Sequence, residues 1–161
     1  MHTHSHTGHA GEQFPTDTTD LELATAPETV EIADGDEYDL DIAPVAKRLG
    51  DATVRMLAYN GSIPGPTLRV EQGATVTINV VNRGDLEATV HWHGLRLDNR
   101  YDGTHETQPP IPVGGSFTAR VEFPDPGPTG TTRTSARTTG KRWGSTATSS
   151  WRPRRRPTGR R

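Results

Sequence analysis

Two histidines one residue apart, His91 and His93, are the side chains in this chain best placed to do chemistry. They lie in Glu87-Ala-Thr-Val-His-Trp-His-Gly-Leu-Arg96, a stretch that reads as a β-strand. Side chains at i and i+2 of a strand leave on the same face, roughly 7 Å apart. Two imidazoles so arranged can each offer a ring nitrogen to a metal, and imidazole suits copper, zinc, iron and nickel. A bare His-x-His also occurs on half-exposed strands that bind nothing. The flanking residues therefore carry the weight, because His-Trp-His-Gly is far more specific than His-x-His. Trp92 faces the other way on such a strand, where its role is packing. His105 reads as structural, or as a hydrogen-bond partner within its loop, rather than as a ligand. No nucleophile–base arrangement, phosphate-cradling Gly loop or paired-carboxylate site can be read.

The strand has to be held by others. The chain has 161 residues, 30% hydrophobic, with 17 Gly and 13 Pro, which fits one small, turn-rich β domain with disordered ends. Short strands are expected over Thr29–Ala33, Glu37–Ile42 and Thr53–Tyr59, with Asn60-Gly61 supplying a turn. Ile63-Pro-Gly-Pro-Thr-Leu-Arg-Val70 suits a sheet edge, since its prolines forbid a helix. Ala74–Asn82 alternates, with Val76, Ile78 and Val80 on one face and Thr75, Thr77 and Asn79 on the other. Phe117, Ala119, Val121 and Phe123 alternate again before Pro124-Asp-Pro-Gly127. Closely spaced alternating strands with turns between them predict a β-sandwich. There is no useful helical period, no internal repeat and no apolar run long enough to span a membrane.

The first residues, Met-His-Thr-His-Ser-His, lack the basic and apolar regions of a secretory signal, so localisation is unknown from sequence. His2, His4, His6 and His9 could take up Cu(II) or Zn(II) weakly, but a solvated leader or a tag remnant is the simpler reading. Without Cys, disulfides and thiolate ligands are excluded.

Tyr59-Asn-Gly-Ser-Ile-Pro-Gly-Pro-Thr-Leu-Arg-Val-Glu-Gln-Gly73, His-Trp-His-Gly94, Asp102-Gly103, His105-Glu-Thr-Gln108 and Pro124-Asp-Pro-Gly127 together resemble the N-terminal part of the multicopper oxidases, the laccase-like enzymes. The resemblance implies an all-β fold, a Greek-key β-sandwich of cupredoxin type, incomplete here and flanked by disordered N- and C-terminal tails. It implies copper as cofactor. Such enzymes take single electrons from a donor at a type 1 copper and reduce O2 to water at a trinuclear cluster. That cluster lies between the first and last cupredoxin domains and takes eight histidines from four motifs. By resemblance, His91 would bind the type 2 copper and His93 one of the type 3 coppers. Both must be neutral to ligate, and each second ring nitrogen needs an acceptor. Asp102 stands where the family places an acid that feeds protons to the cluster. It is a candidate relay, although Asp-Gly is also an ordinary turn signal.

The end of the chain breaks the pattern. Residues 128–161 hold ten of the 18 Lys and Arg and none of the 20 Asp and Glu, so an acidic body joins a wholly basic tail. Where the family continues with a Tyr-Trp-Tyr-His-Pro-His strand, this chain reads Thr129-Gly-Thr-Thr-Arg-Thr134. In the neighbouring reading frame, each Thr permits Tyr or His and Gly permits Trp, so Thr129–Thr134 permits that very string. Ser135–Gly140 permits Val-Arg-Glu-Asp-Tyr-Gly, and Ser145–Trp151 permits Leu-Tyr-Gly-Asn-Ile-Leu-Val, the expected closing strand. The run of matches points to a single-base frame change near Pro128, by a lesion in the gene or an error in reading it. The rival is a basic tail for nucleic acid or anionic membranes, in which Arg152-Pro-Arg-Arg-Arg156 with Trp143 and Trp151 would bind RNA without specificity. Neither a specific nucleic acid nor a membrane is expected as a partner.

The expected organisation is a disordered His-containing leader at 1–27, a partial cupredoxin domain at 28–127 and a basic disordered tail at 128–161. Two functional readings follow. One is the N-terminal copper-binding domain of an oxidase, inactive alone, with two of the eight cluster histidines, no Cys for a type 1 site, and its C-terminal cupredoxin partner domains, O2 and a reducing substrate outside the chain. The other is a stand-alone, weak copper-handling module that uses His91, His93 and the leader. Loss of the last strands would leave open strand edges and exposed core, an aggregation hazard.

Overall fold

The computed structural model describes residues 15–104, 106–127, 129–134 and 147–152. Among these residues nine strands form two sheets packed as a sandwich: β1 (Thr29–Ile32), β2 (Glu37–Leu49), β3 (Ala52–Tyr59), β4 (Thr67–Glu71), β5 (Thr75–Asn82), β6 (Thr89–His93), β7 (Ser116–Glu122), β8 (Thr129–Thr134) and β9 (Ala147–Arg152). One sheet runs β3-β2-β5-β7 and the other β1-β4-β9-β8-β6. Among the described residues the only helical element is a 3-10 turn at Asn99–Tyr101, and no helix is long and apolar enough to cross a membrane.

The alternation that predicts β5 places it at the centre of its sheet. Val76, Ile78 and Val80 are buried to 1% exposure or less, parallel to β2 on one side and antiparallel to β7 on the other. Their methyl-rich faces meet Leu40 and Ile42 of β2, Ala119 and Val121 of β7, and Leu68, Val70, Val90 and Trp92 of the opposite sheet in one core. Each such side chain, fully buried, contributes about 1.5–3 kcal/mol relative to exposure.

β2 runs further than its sequence pattern indicates, through Pro44 to Leu49, because β3 pairs with it antiparallel from Ile42 to Leu49. Its pairing with β5 ends at Ile42↔Asn82. Beyond that point the free side of β2 is taken up by the leader: Ala24 N–H donates to the Ala46 carbonyl and Ala46 N–H to that of Glu22, both at 2.8 Å. Pro44, two residues before Ala46, turns its missing N–H into the gap between these two pairings, so no ladder bond is lost. Part of the expected leader is thus bound to the sheet edge.

The tail differs from expectation in the same sense. Thr129–Thr134 and Ala147–Arg152 are placed as strands between β6 and β4, so the backbone of the five-stranded sheet is continuous where open edges were expected. β4, in turn, is shorter than Ile63–Val70 and starts only at Thr67, after the last proline.

Candidate metal centre

β6 alternates by side. Val90 and Trp92 are buried at 3% exposure, whereas His91 is half-buried and His93 exposed on the other face. The two rings stand 6.0 Å apart between centroids at 73° to one another. His91 and His93 thus share one side of the strand and Trp92 takes the other, as the alternation predicts, and the core anchor is Trp92.

The approach to β6 is set by a residue the sequence reading passed over. Asn82 ends β5 at 0% exposure, with its amide Nδ2 donating to the carbonyls of Leu86 and Ile111, each at 2.9 Å, and its Oδ1 accepting from Gly84 N–H at 3.0 Å. Ile111 in turn exchanges backbone bonds with Ala88, next to the first residue of β6. A polar residue in register with Val76, Ile78 and Val80 was the available signal: a polar side chain at such a core position must have its hydrogen bonds met.

On its outer face the strand meets the loop 97–104. Asp98 caps the 3-10 turn by accepting from Arg100 N–H at 3.0 Å, and Arg100's guanidinium folds back on the same carboxylate at 2.7 Å. The Arg100 side chain, and then its backbone N–H, hold the Asp98 carboxyl below the usual aspartate range. Tyr101 packs its ring against Phe117 at 6.4 Å. Asp102 follows, and its backbone carbonyl accepts a 2.8 Å hydrogen bond from His91 Nδ1. Its carboxylate Oδ1 lies 3.4 Å from the same nitrogen. Past β6, Arg96 makes a two-pronged ion pair with Asp125 at 3.0 and 2.9 Å, but both side chains are more than half exposed.

His91 therefore stands beside both His93 and Asp102. His105 lies outside the described residues, as do the N-terminal histidines. Gln108, the last residue of the His105-Glu-Thr-Gln108 segment, is buried at 3% behind the strand, near Val90 and Trp92. Its Oε1 has no hydrogen-bond partner among the described residues.

The donor set fits copper as part of a larger site. Among the described residues His91 has Nδ1 engaged and Nε2 without a hydrogen-bond partner, and His93 has no hydrogen bond to either ring nitrogen. Among those residues no group of three or more His, Cys, Asp or Glu could hold a metal alone. Two imidazoles on one face can each serve a separate ion whose remaining ligands come from elsewhere.

Residues 43–143 match the multicopper oxidase family. "Multicopper oxidase MmcO" of Mycobacterium tuberculosis is 42% identical over 84 residues, 52% of this chain and 17% of that protein. "Laccase-3" of Oryza sativa is 45% identical over 87 residues, covering 52% and 15%. "Copper resistance protein A" of Pseudomonas syringae is 36% identical over 80 residues, covering 50% and 13%. The chain thus spans less than a fifth of the length of these curated relatives. Among solved structures, a multi-copper oxidase from Pseudomonas thermotolerans superposes with a TM-score of 0.67 at 27% identity, covering 79% of this chain and 31% of that one. Lac15 from a marine microbial metagenome gives a TM-score of 0.65 at 30% identity, covering 76% and 34%.

Proposed function

From the premise that this chain belongs to the multicopper oxidase family, we propose that it supplies the first cupredoxin domain of an enzyme that takes electrons singly from a donor and reduces O2 to water. The observation that carries this is the outward pair on β6, His91 with its Nδ1 tied to the loop and His93 beside it. His91 would hold the type 2 copper and His93 a type 3 copper. Bound copper supplies the one-electron chemistry. The chain's own residues do the rest of what falls to this domain. Trp92 anchors the strand from the core side, the Asp102 carbonyl orients His91, and the Asp102 carboxylate, 3.4 Å from that ring, would serve as the proton relay.

The 161 residues alone are inactive in this reading. They contain no Cys for a type 1 centre, and the remaining cluster histidines and the donor pocket belong to domains outside them. The out-of-frame reading of 128–161 is part of the proposal. In support, the register of β8 sets Thr132 opposite His91 and Thr134 opposite Thr89. The shifted frame permits His at both positions, and residues directly opposite on paired strands share a face. A stand-alone copper module would need ligands beyond the described residues.

Resequencing the locus across the Pro128 codon tests the frame. An in-frame Tyr-Trp-Tyr-His-Pro-His, followed far downstream by further His-rich motifs and a His-Cys-His, is expected. Confirmation of the printed frame, with a stop soon after in the shifted one, would overturn the proposal. For the ligands, titration of the chain with Cu(II) should give binding that His91→Ala or His93→Ala weakens. Binding indifferent to both substitutions and lost with the N-terminal histidines would assign the metal to the leader.

A further inference from the structure

We propose that Gly103 is a positioning residue for His91: lacking a side chain, it lets the Asp102 carbonyl reach the ring and so fixes which nitrogen is left for a metal. The purpose of this arrangement rests on His91 being a ligand, as above; the arrangement itself does not.

Gly103 is buried, sits at φ +69°, and lies flat on the peptide that joins Val90 to His91. A Cβ at this position would overlap the Val90 carbonyl oxygen, stand 2.6 Å from its carbon and 3.1 Å from His91 N. These are backbone atoms of a paired strand, so they cannot swing aside as a side chain would. The positive φ penalises any other residue as well. A side chain here would therefore lift the 102–103 segment off β6. The contact nearest to the displaced peptide is the 2.8 Å bond from His91 Nδ1 to the Asp102 carbonyl.

That bond decides the tautomer. A carbonyl only accepts, so the neutral ring must carry its proton on Nδ1, leaving the lone pair on Nε2. The carbonyl is held from its other side too: Asp102 N–H donates to the Asn99 carbonyl at 3.2 Å and Tyr101 N–H to that of Asp98 at 2.9 Å. It is thus fixed between the 3-10 turn and the glycine. His93 has no such partner among the described residues, and its ring stands edge-on to that of His91. The two histidines of one motif should then differ: His91 is preset and His93 is free to choose.

Long-range proton–nitrogen NMR on the metal-free, 15N-labelled 161-residue chain, at a pH where imidazoles are neutral, tests this. The expected result is a single Nδ1–H tautomer for His91 and averaging for His93. In Gly103→Ala, with amides of β2, β5 and β7 reporting that the sandwich is intact, His91 should average as His93 does. Its Zn(II) affinity should fall about tenfold or more, the usual cost of losing such an outer partner. Asp102→Asn keeps the carbonyl and should leave the tautomer unchanged. Three results would each overturn the proposal: an Nε2–H form of His91 in the parent chain, an unchanged tautomer in folded Gly103→Ala, or a switch in Asp102→Asn. Should Gly103→Ala not fold, the parent chain and Asp102→Asn decide. A lost tautomer with Zn(II) binding intact would keep the positioning role and count against His91 as a ligand.

Discussion

The two sheets of this sandwich are made from unlike sequence. In β3-β2-β5-β7 the central strand reads Thr-Val-Thr-Ile-Asn-Val-Val-Asn, and every second residue is a buried aliphatic until Asn82 closes the run. In β1-β4-β9-β8-β6 the strand beside the histidines reads Thr-Gly-Thr-Thr-Arg-Thr, and its neighbour Ala-Thr-Ser-Ser-Trp-Arg. Both sheets have continuous backbone pairing, but only the first carries an apolar alternation along all the strands that flank its centre. Hydrogen-bond ladders contribute little net stability once water's competing bonds are counted, whereas apolar burial contributes most of it. The comparison teaches that the half of the domain holding the candidate site depends for its stability on the other half.

The strongest way to break this contrast is to restore the shifted-frame residues over 129–151. Several aromatic and aliphatic side chains would return to the five-stranded sheet, worth on the order of 5 kcal/mol or more. Thermal melting followed by circular dichroism should sharpen and move up, and an unchanged melt would count against the frame reading. Next comes a paired truncation read by urea denaturation. Ile78→Ala in β5 should cost about 2–5 kcal/mol, while Thr131→Ala in β8, a smaller truncation in a strand without apolar alternation, should cost markedly less. Equal costs would mean that the second sheet has a core role its sequence does not reveal. Asn82→Ala, at the passage from one sheet to the other, should cost about 2–3 kcal/mol, because it removes a fully buried amide and leaves the Leu86 carbonyl and the Gly84 N–H without the partner it gave them. Arg96→Ala breaks an exposed ion pair and should change stability by at most about 1 kcal/mol, less in high salt.

The smallest effect is one of pH. Asp98 has its pKa lowered in the fold by the Arg100 side chain. Its support of the 3-10 turn is present above the ordinary aspartate pKa and is lost as pH falls through the lowered value. Protection factors for amide exchange at Arg100 and Tyr101 should fall in acid while those of β5 hold.

What could be read from the sequence follows the same division. β5, β7 and the outward histidine pair were legible because period-2 alternation maps directly onto sides of a strand. Two features depended on contacts distant in sequence: the reach of β2 through Pro44, which needed the leader to cover its free side, and the role of Asn82, which needed Ile111. β8 and β9 were not legible because their residues carry no alternation at all. Gly103 reads locally as half of an Asp-Gly turn, and only the packing of its loop on Val90 turns it into a requirement.

β6 is the last strand of its sheet, yet its rim is occupied. Ile111 pairs with Ala88 at one end, and Gly103 is pressed on the Val90 carbonyl further along. A second copy of the chain seeking to anneal there would first have to peel this loop away. Self-templated fibril growth would then begin on β3, β7 or β1, and the strand bearing the histidines would be the last to be recruited.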